Sequence, residues 1–188
     1  MTNTDQQRWD ARWATEANEH VREPHPLLVG FISQQRLTGG RALDVACGVG
    51  QNAIWLAQRG FAVDAVDVSP VALAHARHAA ARASVTVNFA QADLDEWTPP
   101  VLAYDLIMGF RYLNRKLWPR LQAALRPGGW LLYQTFNLRK LTPDADCPPE
   151  YLLDIGELPR TFTGWVILES GDDGGSSHDQ SWIVCRKP

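Results

Sequence analysis

The sequence predicts an α/β domain, a largely parallel sheet with helices on both faces. Three observations carry that expectation. From Arg41 onward, short apolar runs alternate with longer helical stretches, the rhythm of strand–helix–strand units. The first strand passes into the first of these helices through a glycine-bearing turn, Cys47-Gly48-Val49-Gly50. The last two strands are linked without a helix, so one terminal strand is expected to run antiparallel to the rest.

Taken in order, Asn3 to Leu37 reads as one or two helices ahead of the sheet. Arg41 to Cys47 is a nearly continuous apolar run, as expected of a strand covered on both faces. Gln51 to Arg59 carries Ala53, Ile54, Leu56 and Ala57 at helical spacing and is closed by Gly60. Phe61 to Val68 is the second strand. Ser69 and Pro70 then start a helix as N-cap and first residue, and it continues from Val71 to Ala83. Val85 to Phe89, Tyr104 to Gly109 and Trp130 to Phe136 are the third to fifth strands. Arg115 to Leu125 is a helix broken or started by Pro119 and stopped by Arg126-Pro127-Gly128-Gly129. Trp165 to Glu169 and Gln180 to Cys185 form the terminal hairpin. Asn137 to Thr161 is the one long irregular stretch, with four prolines.

Composition sets outer bounds. At 188 residues the chain fits one domain, with 45% apolar and 21% charged residues. Eighteen basic against 21 acidic side chains leave a net charge of −3, which favours neither a nucleic acid nor an anionic membrane as the main partner. The first ten residues are polar and lack a signal-peptide layout, and no apolar run approaches the roughly 18 residues of a membrane span. Cys47, Cys147 and Cys185 are odd in number and widely spaced, which argues against a disulfide framework or a zinc knuckle. A cytoplasmic enzyme-sized domain is expected, monomeric or homodimeric, with no metal.

The informative segment is Asp44 to Ala53. Gly48 and Gly50 permit a left-handed backbone and close ligand approach at the carboxyl edge of the sheet. Asp67 ends the second strand, where a carboxylate can accept both hydroxyl protons of a ribose. Gly48, Gly50 and Ala53 also satisfy G-x-G-x-x-[GA], so an NAD(P)-binding reading stands beside any other. Against it, Asp44 would repel a pyrophosphate but suits a cation, and Asp93 follows the third strand where it can meet an adenine amino group. The chain also leaves little room for a second domain to hold a hydride acceptor. A ligand with an adenosine, an amino-acid end and a sulfonium fits these acids.

Asp44 to Gly50 resembles motif I of the class I S-adenosylmethionine (SAM)-dependent methyltransferases. Asp67, Asp93 and Leu125-Arg126-Pro127-Gly128-Gly129 fall where that family has its later motifs. The resemblance implies a Rossmann-like, doubly wound, seven-stranded sheet of order 3-2-1-4-5-7-6 with strand 7 antiparallel. It implies that Gly48 and Gly50 contact the methionine part, Asp67 the ribose, and Asp93 and Leu94 the adenine. Asp44 would reach the ammonium directly or through water, and Ala46, Asn52, Val68 and Met108 would complete the cofactor site. The run from Ala42 to Phe61, with Tyr112 to Arg115 and Gly156-Glu157-Leu158, is further similar to small bacterial methyltransferases of the tellurite-resistance and thiopurine type, which act on soft or small nucleophiles.

Methyl transfer asks a protein chiefly to align the partners and exclude water. The segment after the fourth strand, Met108 to Tyr112, is not Asn-Pro-Pro-Tyr, and no Pro-Cys pair occurs. Both absences argue for a small-molecule substrate. Its expected walls are Trp9, Trp13, Arg111, Tyr112, Phe136, Asn137 and Arg139. Trp9 and Trp13 could close over the cofactor or simply staple a helix to the core. Arg111 could pair with an anion or be solvated. Tyr112 suits positioning more than proton transfer. His20 and His25 are candidate bases. His75 and His78 read as a solvated helix face, Cys47 as packing, and Asp172-Asp173-Gly174-Gly175 as a turn.

One methyltransferase domain over 1–188 is therefore expected. Residues 1–40 would cover the site, 41–136 bind the cofactor, 137–161 form a lid and 162–188 a hairpin. A SAM-binding sensor without transferase activity and an NAD(P)-binding protein remain as alternatives.

Overall fold

Strands that are apolar without alternation need cover on both faces, and the central strands of this chain have it. The computed structural model describes residues 3–15, 22–141, 148–173 and 178–188. They fall into two compact units, Met1–Pro100 and Val101–Pro188.

In the first unit, helices α1 (Asn3–Thr15) and α2 (Pro26–Gln35) precede β1 (Gly40–Val45), α3 (Gln51–Ala57), β2 (Phe61–Asp67), α4 (Pro70–Arg82) and β3 (Asn88–Gln91). Strands β1, β2 and β3 are parallel, with Ala42 opposite Val63, Val45 opposite Val66 and Asp67 opposite Gln91. Ala42, Leu43, Val45, Val63, Ala65 and Val66 are all buried. Helix α4 begins as its residues dictate: Ser69 Oγ accepts from the Ala72 N–H at 3.1 Å, and Pro70 occupies the first turn. His75 is half-buried and His78 exposed on this helix.

The third strand starts three residues later than the sequence suggests. After α4, Ser84 turns left-handed (φ 55°) and the Val85 N–H donates back to Ala80 O at 3.1 Å. This helix-ending turn consumes the β-branched residues that read as a strand. Pairing begins at Asn88, whose Nδ2 donates to Asp64 Oδ1 at 2.8 Å.

The second unit contains β4 (Tyr104–Phe110), α5 (Trp118–Ala124), β5 (Leu125–Phe136), α6 (Glu157–Thr161), β6 (Val166–Gly171) and β7 (Gln180–Arg186). Here the expected helix 115–125 is shortened at its start, because Arg115 to Leu117 form a turn and Pro119 sits in the first helical turn. Leu125 is already extended and opposite Tyr104. The Arg126-Pro127-Gly128-Gly129 run belongs to β5 instead of standing between helix and strand: the Gly128 N–H donates to Lys187 O, and the Lys187 N–H donates to Gly129 O, both at 2.9 Å. Gly129 has no room for a side chain, since a Cβ would lie 2.9 Å from Arg126 O.

Strand β5 is parallel to β4 and antiparallel to β7, which in turn pairs antiparallel with β6. The sheet order is β3-β2-β1-β4-β5-β7-β6, as the family resemblance implied. Within 137–161, two short 3-10 turns (Leu138–Lys140 and Pro149–Tyr151) and α6 replace the featureless loop expected. Leu152, Leu153 and Leu158 are fully buried there. Arg115 ties the segment down through Glu157 and through the carbonyls of Glu150 (3.0 Å) and Leu152 (2.8 Å).

Candidate active site

Strand β1 ends at Val45 and α3 begins at Gln51. The intervening chain turns with left-handed residues at alternate positions, Ala46 (φ 54°), Gly48 (φ 54°) and Gly50 (φ 77°). Three of its N–H groups are spent internally. Cys47 N–H donates to Val66 O (3.1 Å), Gly48 N–H to Asp67 Oδ2 (2.8 Å) and Gly50 N–H to Cys47 O (3.0 Å). None of these three donors is left for a pyrophosphate. The two glycines differ in purpose. A Cβ on Gly48 would come 3.1 Å from the Trp13 ring, whereas one on Gly50 would lie 3.0 Å from both Ala76 and Phe89. Gly50 therefore lets α3, α4 and β3 close together, a packing role beyond the ligand contact expected of it.

Asp44 sits beneath this turn, 1% exposed. An Ala53 backbone N–H bonds its carboxylate, but Oδ2 has no hydrogen-bond partner. Burial, and secondarily the nearby Asp67 charge, push its pKa up to about 8. A buried carboxylate oxygen without a donor is costly. A cationic donor such as an ammonium would complement it.

Asp67, at the end of β2, is also buried. Its oxygens accept from the Gly48 N–H and, at 2.9 Å, from the Ser69 N–H. Burial raises its pKa, those N–H bonds oppose the rise, and Asp10 adds to it. The Ala92 N–H donates to Asp67 O (3.1 Å), which brings the Asp93 segment to the same edge. Asp93 Oδ1 accepts from the Asp95 N–H, and Leu94 is fully buried. Val68 is buried as well, its carbonyl taking a bond from Gln91 Nε2. Asp44, Ala46, Gly48, Gly50, Asp67, Val68, Asp93 and Leu94 are thus gathered at the carboxyl ends of β1 to β3.

Other expected residues have structural work. Asn52 is buried, and its Oδ1 accepts from the His25 N–H at 2.8 Å. His25 caps α2, its Nδ1 accepting from the Leu27 N–H at 3.3 Å, which uses the lone pair a general base needs. Trp13 is buried on the glycine turn, so the stapling it provides is to the site itself. Trp9 is half-buried with the Arg12 guanidinium 5.2 Å from its ring centre. Burial pushes the Cys47 thiol well above its ordinary value, as befits a packing residue. His20 lies outside the described residues.

In the second unit, Met108 is fully buried on β4. Arg111 follows β4 in a left-handed conformation (φ 58°) with an exposed side chain. Tyr112 is half-buried, and its carbonyl accepts from Tyr133 Oη at 2.5 Å. Phe136 is half-buried beneath Lys140, whose Nζ stands 3.9 Å from the ring centre. Asn137 is fully buried: its Nδ2 donates to Asp172 O and Ser181 Oγ, and its Oδ1 accepts from the Arg139 N–H. Arg139 donates to Asp172 O at 2.8 Å. Asn137 and Arg139 are thus both bonded to the Asp172 carbonyl just after β6, and the Arg139 side chain is exposed. Sequence reasoning missed Asp10, whose carboxylate takes the Ser69 hydroxyl proton at 2.5 Å. An acid on a polar helix carries no sequence signal for that partner.

Among the described residues no group of three His, Cys, Asp or Glu side chains could hold a metal, and no helix is long and apolar enough to cross a membrane. Residues 42–129 match the family described as "Methyltransferase domain". The ubiquinone biosynthesis O-methyltransferase of Azotobacter vinelandii is 30% identical over 159 residues, 79% of this chain and 68% of that protein. The curated relatives are longer, and the chain spans about half to two thirds of their length. Two solved structures share the fold. One, described by the conversion of a disulfide bond into a thioacetal group during echinomycin biosynthesis, has a TM-score of 0.71 at 22% identity, covering 97% of this chain and 93% of that one. TehB from Haemophilus influenzae has a TM-score of 0.72 at 18% identity, covering 97% and 67%. With motif, sheet order and a relative matched over most of its length all in agreement, the chain belongs to the class I S-adenosylmethionine-dependent methyltransferases.

Proposed function

We propose that this chain transfers the methyl group of SAM to a small-molecule nucleophile by in-line displacement, in the cytoplasm and without a metal. The observation that carries the cofactor assignment is the buried, donorless Asp44 Oδ2 beside the left-handed turn at 46–50. Asp44 would hold the ammonium, Asp67 the ribose hydroxyls, and Asp93 with Leu94 the adenine. Bound there, SAM supplies a methyl group on an electrophilic sulfonium. The chain's own contribution is to fix the cofactor and keep water away. Arg111 and Tyr112, after β4, are the substrate-facing residues in this reading. The left-handed Arg111 supports it, because strained non-glycine backbone concentrates at functional positions.

A soft nucleophile such as a thiol is the favoured acceptor class. The similarity to the tellurite-resistance and thiopurine type supports this, as does the sulfur chemistry named for one fold neighbour. Calorimetric titration with S-adenosylhomocysteine, with NAD and NADP run beside it, tests the cofactor. Micromolar binding of S-adenosylhomocysteine alone is expected, and binding of a dinucleotide instead would overturn the assignment. Labelled SAM offered with thiols, phenols and oxyanions then tests the acceptor. Cofactor binding without turnover on any of them would favour a sensor.

A further inference from the structure

Two carboxylates hold Ser69 from different sides. Its N–H donates to Asp67 Oδ1 at 2.9 Å, and its hydroxyl donates to Asp10 Oδ1 at 2.5 Å while accepting from the Ala72 N–H at 3.1 Å. Asp10 thereby stands at the N-terminus of the 13-residue α4, where the helix dipole favours negative charge. It comes from α1, whose other anchor is Trp13 on Gly48. Gly48 in turn donates to the second oxygen of Asp67. Helix α1 therefore touches two of the residues whose N–H groups orient the Asp67 carboxylate, Gly48 through Trp13 and Ser69 through Asp10. Side-chain contacts of this kind fix a first-rank ligand through its partners.

We propose that Asp10 is a positioning residue for the cofactor's ribose, orienting the Asp67 carboxylate through Ser69. This rests on the reading of Asp67 as the ribose acceptor. The Ser69 hydroxyl has a single proton, and giving it to Asp10 fixes the hydroxyl so that its lone pair meets Ala72. That locks the backbone of Ser69, and with it the N–H aimed at Asp67. Asp10 also adds negative charge near Asp67, making it a stronger acceptor for hydroxyl protons.

The test titrates the full chain with S-adenosylhomocysteine and with its 2′-deoxy analogue, using the parent protein and the variants Asp10→Ala, Asp10→Asn, Ser69→Ala and Asp67→Asn. The parent should bind the hydroxylated ligand about tenfold more tightly than the deoxy ligand. Asp10→Ala and Ser69→Ala should each lose about fivefold on the hydroxylated ligand and less than about twofold on the other, narrowing the discrimination. Asp10→Asn, which keeps an acceptor for Ser69 but not the charge, should fall between them and the parent. Equal losses on both ligands would make Asp10 a docking contact for α1 only and overturn the proposal. A parent protein indifferent to the 2′-hydroxyl, with Asp67→Asn equally indifferent, would instead overturn the reading of Asp67 itself. Melting curves establish that each variant is folded, and Asp10→Asn with Ser69→Ala decide the matter if Asp10→Ala does not fold.

Discussion

Asp67 and Gly48 are joined by one hydrogen bond, 2.8 Å from the glycine N–H to the aspartate Oδ2. It ties the end of β2 to the turn that follows β1, so the acid proposed to hold the ribose also shapes the loop proposed to hold the methionine part. On that proposal, binding and folding are coupled at this one side chain.

Asp67→Ala should accordingly do two things. SAM affinity falls at least tenfold, about 1.4 kcal/mol. The fold loses about 2 kcal/mol as the Gly48 and Ser69 N–H groups lose their acceptor. Calorimetry and denaturant unfolding measure the two losses separately. Unchanged affinity in a folded variant would remove Asp67 from the site.

The buried Asp44 predicts a pH dependence of definite sign. Its pKa is raised from 3.8 to about 8 by burial first and Asp67 second. Between those values the folded protein holds a proton that the unfolded chain has released, so the contribution of this group to stability is greatest at low pH and declines as pH rises towards about 8. Asp44→Asn should flatten that decline in thermal melts across the same window. An ammonium needs the ionised acid, so S-adenosylhomocysteine binding should tighten as pH rises from 6 to 8 and release a proton, seen as a buffer-dependent heat.

Ala46 adopts a left-handed backbone that costs an alanine about 1–2 kcal/mol. Part of that gain is offset by the greater freedom of glycine in the unfolded chain. Ala46→Gly should therefore stabilise the protein by about 0.5 kcal/mol, read as a small rise in melting temperature. Gly50→Ala should lower it sharply, because the new methyl would meet Ala76 and Phe89 at 3.0 Å in a left-handed conformation.

Arg115 pins the segment after the second 3-10 turn by donating to Glu157 and to two backbone carbonyls. Burial works to raise the Glu157 pKa, but the Arg115 hydrogen bond, the Asp154 N–H and the charges of Arg115 and Arg160 together outweigh it, and the net shift is downward. The pair therefore stabilises the fold above the ordinary glutamate range and is lost as pH falls through the lowered value. Arg115→Gln should cost about 1–2 kcal/mol, mostly from the orphaned carbonyls since the guanidinium is partly exposed. Limited proteolysis should show earlier cleavage between residues 148 and 158.

The sheet was legible because its strands are apolar runs bounded by glycine, proline and serine. Ser69-Pro70 marked the start of α4 to the residue. What failed was local competition. Val85 to Val87 have strand propensity, yet the left-handed Ser84 commits them to ending a helix. Arg126 to Gly129 read as a helix stop, yet their backbone pairs with Lys187, a partner nearly sixty residues away that no local pattern reveals. In the site, Asp44, Gly48 and Asp67 carried a spacing signal. Asn137 and Arg139 did not, and their polar side chains bond the Asp172 carbonyl, a partner more than thirty residues away.

Within the turn at 46–50, the Cys47, Gly48 and Gly50 N–H groups are each bonded to the protein's own acceptors. Ordering a loop costs about 1–2 kcal/mol per residue in conformational entropy, and these internal bonds offset part of that cost as the chain folds. Affinity then depends on how firmly the fold holds the loop. Substitutions far from the ligand that loosen the pairing of β1 with β2 should weaken cofactor capture without altering one contact to it, and stabilising the same strands should strengthen it.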